Sequence, residues 1–233
     1  MKIASVRFAV AIVAVTSILV GVGEPRIAHA DSEPPPEHRG FQLALRTGIA
    51  LPIGSVNGAT PMSDAFSAQA PLILDVGWKI IPNLFVGVFA GASVGGAAGQ
   101  VDDACQQLGV SCVGLAFRGG ILAQWNFRPD KTVNPWAGYG FGYEFGGSSG
   151  SNAKNSISNA VRGFDYAHLL GGVDFRLQDW FGIGPFIDGA IGSYDVASSS
   201  TNAGGRVLNR GGAINDKAIH IWLTLGVRIV MLP

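Results

Sequence analysis

The sequence predicts an all-β fold: one eight-stranded, antiparallel, up-and-down transmembrane β-barrel. Three observations carry this expectation. Eight segments alternate apolar with small or polar residues at a period of two, the connections between them alternate long and short, and aromatic residues gather near strand ends. The composition agrees: 34 glycines, 14% charged residues, and no apolar run after the N-terminus that is long enough to cross a membrane as a helix.

The N-terminus sets the compartment. Lys2 and Arg7 precede an apolar run from Phe8 to Val22, and Ala28-His29-Ala30 stands just before Asp31. A positive segment, an apolar segment and a small-x-small site together read as a cleaved secretory signal peptide over residues 1–30. Residues 31–39, with Pro34, Pro35 and Pro36, read as a polar periplasmic leader, and residues 40–233 as the barrel. Setting aside Lys2, Arg7, Arg26 and Glu24 lowers Lys+Arg from 16 to 13 and Asp+Glu from 16 to 15. The mature chain is then slightly acidic, without the basic footprint of a nucleic-acid binder.

The first strand is the clearest. Phe41, Leu43, Leu45, Thr47, Ile49, Leu51 and Ile53 alternate with Gln42, Ala44, Arg46, Gly48, Ala50 and Pro52. Successive side chains on a strand point to opposite faces, so one face is greasy and the other small or polar. The pattern recurs with Leu72 to Ile80, Leu84 to Val94, Val113 to Phe127, Ala137 to Phe145, Ala167 to Leu177, Phe181 to Ile191 and Ile219 to Met231. Eight is an even count, as single-chain outer-membrane barrels require.

Connections 55–70, 97–112, 149–160 and 198–217 are long and rich in Gly, Ser, Asn and Asp, whereas those near 82, 131 and 179 are short. Such barrels keep short turns on the periplasmic side, so both ends of the barrel belong there. About thirteen residues at ~3.3 Å each, tilted ~40°, rise roughly 33 Å, enough to cover an apolar band ~25 Å tall. Phe41, Trp78, Trp125, Phe127, Phe175, Trp180 and Phe181 fall at the periplasmic strand ends as an aromatic girdle, and Phe117, Tyr143 and Phe145 fall toward the other rim.

The opening GFQLALRTGIALPIG and the alternation that follows resemble the small outer-membrane β-barrel superfamily of OmpA/OmpX-like proteins, in the form that myxobacteria encode. The resemblance implies an outer-membrane location, membrane lipid as surroundings and the barrel-assembly machinery as a partner during biogenesis. It leaves activity open, because the superfamily includes tethering, adhesive, transport and lipid-modifying members.

The opposite face points inward and carries Arg46, Asp75, Lys79, Arg118, Gln124, Glu144, His168, Asp174, Arg176, Asp188, His220 and Arg228. Its basic and acidic groups nearly cancel, which points to a paired network closing the lumen, with Arg46–Asp75 and Arg118–Glu144 as the pairs at equal height. An ion path is the alternative. Glycines on the same face, at Gly87, Gly91, Gly95, Gly138, Gly140, Gly142 and Gly146, make room for bulky neighbours such as Phe89 and Phe186, and open no helix that would cradle a phosphate.

Cys105 and Cys112 sit in the second long connection of an exported chain, so a disulfide that staples the loop is expected, without a third ligand that would mark a metal. His168 and His220 are the candidates for lipid-modifying chemistry. Asp165 lies three residues from His168, and on a regular strand residues three apart face opposite ways, so the two are not expected to meet. No catalytic residue, cofactor or metal site is read. The expected role is a structural barrel, or one that binds a surface ligand through its long loops, with a small channel or a lipid-modifying enzyme as alternatives.

Overall fold

The computed structural model describes residues 39–232. The segment read as a signal peptide, 1–30, and the leader residues 31–38 lie outside the described residues.

One antiparallel sheet holds all the strands: β1 (Gly40–Asn57), β2 (Thr60–Pro61), β3 (Phe66–Ile81), β4 (Leu84–Ala97), β5 (Val113–Asn126), β6 (Val133–Ser151), β7 (Asn155–Gln178), β8 (Phe181–Ala203), β9 (Arg206–Ala213) and β10 (His220–Met231). Eight of them close a ring in the order β1-β3-β4-β5-β6-β7-β8-β10, and β10 pairs back onto β1 from Leu43↔Met231 to Gly54↔His220. The expected barrel is therefore the observed one. Closure removes the sheet edges that hydrocarbon would leave unsatisfied.

Alternation does the sorting. On β1 the odd residues, among them Phe41, Ile49, Leu51 and Ile53, face outward, while Gln42, Ala44, Arg46 and Ala50 are buried inside. Leu72, Leu74, Val86, Val88, Leu115, Ile121, Leu169, Ile187, Leu225 and Val227 continue the outward apolar belt around the ring. A belt of that extent is far beyond the apolar patches of a soluble monomer and fits a lipid-facing wall. Phe41, Trp78, Trp125, Phe127, Phe175 and Trp180 are exposed near the short-turn ends, Phe181 packs beside Trp180 at 5.6 Å, and Phe41 stands opposite Trp78 in the β1/β3 register.

The long connections differ from their reading as loops. Between β1 and β3, the short β2 and a turn of 3-10 helix at Met62–Asp64 fold inward, with Met62 fully buried. Segment 97–112 carries helix α1 (Gly99–Gln107), which Cys105 and Cys112 close with an S–S bond of 2.03 Å and which packs with Val110 on Ile157 of β7. Segment 149–160 is mostly strand, because β6 and β7 stay paired to Ser151↔Ser156. Segment 198–217 is a hairpin, with β9 folded back along β8 from Val196↔Ala213 to Ala203↔Arg206 and a turn at Gly204 and Gly205, both at positive φ. Ser, Asn and Gly lack the greasy stripe by which a membrane strand is recognised, but ladder hydrogen bonds need no greasy stripe once both faces meet water. The sheet thus continues past the ring as a projecting blade of β6, β7, β8 and β9.

A second departure is local. The β6/β7 register slips between Gly140↔His168 and Gly142↔Asp165, and β7 pairs with β8 through Asp165↔Gly192 and then Ala167↔Ile191. This β-bulge turns both Asp165 and His168 inward, against the expectation for a regular strand.

Candidate functional site

The inward side chains of the eight strands fill the ring. Toward its centre, Arg46 donates to Asp75 through Nε at 2.9 Å and Nη2 at 2.8 Å, and to Asp188 through Nη1 at 2.8 Å. In the β1/β3 register Asp75 stands opposite Ala44 and Arg46 opposite Ile73, so this pair forms diagonally and not at equal height. Asp188 in turn lies 3.5 Å from His168 Nδ1, and His168 Nε2 meets Asp165 Oδ2 at 2.9 Å. The bulge thus extends the charged chain by one carboxylate that strict alternation had assigned to lipid.

Nearer the long-connection end, Arg118 stands directly opposite Glu144 and reaches it at 3.4 Å. Glu144 is more than half of a pair. Its Oε1 accepts from Tyr194 Oη at 2.7 Å and from Trp222 Nε1 at 2.9 Å, while Oε2 faces His220 Nε2 at 3.4 Å. The Arg118 guanidinium also stacks over Trp222, 4.9 Å from the ring centre. Tyr194 and Trp222 were not singled out from the sequence. Trp222 carries the even-numbered phase of β10 that Arg228 shares, and that phase is the signal that marks it as an inward residue.

At the short-turn end Arg228 donates to Asp174 at 2.6 Å and stacks over Trp136, whose Nε1 donates to the same carboxylate at 3.1 Å. Arg176 donates to the carbonyl of Pro129. Lys79 departs from the expected pairing: its ammonium is fully buried and has no hydrogen-bond partner among the described residues. Asp174, the lumen carboxylate near it, is already taken by Arg228 and Trp136, and its other charged neighbours include the cations Arg176 and Arg228. Gln124, Asn126 and Asn134 complete this end through an amide chain, each link 2.9 Å.

The lumen charges balance in number but not in place. Arg46 and Arg118 face Asp75, Glu144, Asp165 and Asp188, whereas Arg228 pairs with Asp174, and Lys79 lies near Asp174 and Asp130 as well as the cations Arg176 and Arg228. Between and around these groups lie Phe85, Phe89, Leu122, Trp136 and Phe186. Of the glycines expected to make room, Gly87 lies against Phe85, where a Cβ would stand 2.7 Å from the ring, and Gly146 against Phe66 at 3.3 Å, not against Phe89 or Phe186. A Cβ at Gly120 would stand 2.8 Å from the Phe89 ring and one at Gly172 2.7 Å from Trp136. Arg46, Lys79, Glu144 and His220 are each no more than 1% exposed. These side chains, which point into the lumen, are thus buried.

Above this plug the blade and the β1–β3 connection enclose a cleft of about 950 Å³. Its floor is apolar, with Val56, Phe66, Val161, Ala197 and Ile214 packed over Trp222 and Tyr194, and Phe66 meets Trp222 edge-on at 5.6 Å. Its walls carry Asn57, Thr60, Gln100, Ser148, Asn159, Ser198 and Arg210. Next to it Lys217 donates to Asp195, and that carboxylate holds the exposed ammonium above its ordinary pKa. The imidazole–carboxylate contacts could share protons, but they lie beneath the floor of the cleft, out of contact with anything bound in it.

The closed ring, the outward apolar belt and the occluded polar interior define a transmembrane β-barrel of the outer-membrane type. No protein-family model matches the sequence, and no curated protein matches it. Among solved structures, the major outer membrane protein of Thermus thermophilus superposes with a TM-score of 0.53 at 11% identity, covering 84% of this chain and 99% of that one. Neisserial surface protein A gives 0.44 at 14% identity, over 81% of this chain and 96% of that one. OprG from Pseudomonas aeruginosa gives 0.44 at 12%, over 83% and 97%. The Thermus likeness shows a shared fold.

Proposed function

We propose that this protein is an outer-membrane barrel with a closed lumen, which presents a rigid binding cleft at the cell surface. One observation carries the reading: the charged lumen side chains are sealed from water, while the chain spends its longest strands on building a cleft above them. An apolar floor ringed by Ser, Asn, Arg210 and Asp216 suits an amphipathic ligand, with apolar burial giving the affinity and the wall groups fixing orientation. Membrane lipid surrounds the belt, and the short turns face the periplasm.

Single-channel recording of the folded protein in a planar bilayer tests the closed lumen. Flat current traces are expected; steady ohmic steps would instead make an ion path the function. Recovery of the protein in a soluble periplasmic fraction, with no shift in gel mobility on boiling, would overturn the membrane location.

A further inference from the structure

Glu144 of β6, Asp165 of β7 and His220 of β10 are all buried, and each brings one potential ligand atom into a group whose members lie within 4.8 Å of one another. The strand register explains the gathering. Asp165, Gly192 and His220 form one row across β7, β8 and β10, with the glycine in the middle. A Cβ on Gly192 would stand 2.5 Å from the Phe164 carbonyl oxygen, 2.8 Å from Asp165 Oδ1 and 3.2 Å from His220 Nε2, so only the missing side chain keeps a small hollow open among these three atoms. Glu144 Oε2 reaches the same imidazole nitrogen at 3.4 Å.

Each carboxylate has one oxygen held by hydrogen bonds; the other oxygen of Asp165 borders this hollow, and that of Glu144 faces His220 and Arg118, each at 3.4 Å. Tyr194 and Trp222 hold Glu144 Oε1, and His168 holds Asp165 Oδ2. Asp165 Oδ1 is buried without a hydrogen-bond partner among the described residues. An orphaned, buried carboxylate oxygen is costly, and such outer donors are what orient the ligands of a metal centre. The surrounding charge agrees, since four carboxylates face two guanidinium groups and two imidazoles here, so the carboxylates outnumber the permanent cations by two. Size discriminates between occupants: Asp165 Oδ1 is closed to water, but a metal ion sits only ~2.0–2.2 Å from its oxygen and nitrogen ligands.

We propose that Asp165, His220 and Glu144 hold a divalent first-row metal ion, of the Zn²⁺ or Mn²⁺ kind, in the hollow over Gly192. The ligand atoms, within 4.8 Å of one another, draw together around the ion, which supplies positive charge to the carboxylates. One imidazole and two carboxylates suit such an ion better than Ca²⁺ or Mg²⁺, which take six or more oxygen ligands. Arg118 shares Glu144 and stacks on Trp222, which offsets part of the negative charge and leaves the carboxylates two in excess of the permanent cations.

The full chain, unfolded in urea with EDTA, desalted and refolded in detergent with Zn²⁺, Mn²⁺ or Co²⁺, tests this. One equivalent of ion is expected to stay with the folded protein through gel filtration, with a Co²⁺ visible spectrum that indicates a nitrogen ligand and a higher urea midpoint. Asp165→Asn and Gly192→Ala should each lose the ion, the second by filling the hollow with every ligand still present; heat-modifiable gel mobility reports whether each variant has folded. Folded wild-type protein that retains no ion from any of the three solutions overturns the proposal. So does an equivalent retained by a folded variant, or a Co²⁺ spectrum with oxygen ligands alone, and these outcomes bear on the site without touching the closed lumen.

Discussion

Replacing Glu144 separates its two duties, as a counter-charge and as an acceptor. Glu144→Gln keeps a carbonyl for Tyr194 and Trp222 but turns an amide toward Arg118, leaving that guanidinium buried without its carboxylate. Breaking a buried pair on one side costs about 3–5 kcal/mol. Removing both charges as Arg118→Met with Glu144→Leu does not restore the barrel, because the Tyr194 hydroxyl and the Trp222 N–H are then orphaned at about 1–3 kcal/mol each. Arg118→Met with Glu144→Gln retains the acceptor, removes the charge and is expected to lie within about 1–2 kcal/mol of wild type. Reversible urea unfolding in lipid vesicles, followed by tryptophan fluorescence with EDTA present and with Arg118→Met measured alongside, gives the stabilities and, from the Arg118→Met/Glu144→Gln cycle, the coupling between the sites. If the Met/Leu double variant matches wild type and the Met/Gln variant does not, the acceptor role assigned to Glu144 is wrong.

Reduction of Cys105–Cys112 should cost about 2–3 kcal/mol through the short ring it closes, and protease cleavage confined to 99–112 with the barrel intact is the result to look for. Val88→Arg, at the middle of the outward face of β4, should lower stability by about 2–4 kcal/mol in vesicle unfolding, as expected where that face meets lipid. Gly172→Ala drives a methyl against the Trp136 ring and should cost about 1–3 kcal/mol, visible as a lower unfolding midpoint. Lys217→Ala breaks only an exposed, solvent-screened ion pair, so the unfolding midpoint should stay at the wild-type value.

The ring was legible because a lipid-facing wall writes itself into sequence. Phe41 to Ile53 has to be greasy at every second position, and the register with β10 and β3 follows from that constraint. Where lipid ends, the constraint ends, so the polar strands of the blade read as loops, and β7 was entered at Ala167 when it begins at Asn155. The bulge was written too, in the outward aromatics: Phe164 and Tyr166 keep the even phase, then Leu169, Gly171 and Val173 keep the odd one. That one-residue slip is what carries Asp165 into the lumen. The pairing partners of Glu144 were less legible, since Tyr194 lies beyond the apolar alternation of β8 and meets Glu144 across a sequence separation of 50.

The strands of the blade are continuous with those of the wall, and this alters how its cleft meets a ligand. Mobile loops surrender conformational entropy when they close on a target, whereas a hydrogen-bonded ladder has surrendered it already during folding. If the cleft binds as proposed, its shape is set before the ligand arrives, which favours selection by outline. The same strand that ends at Ala203 in the blade carries Asp188 to Arg46 in the lumen, so tip and plug are parts of one element.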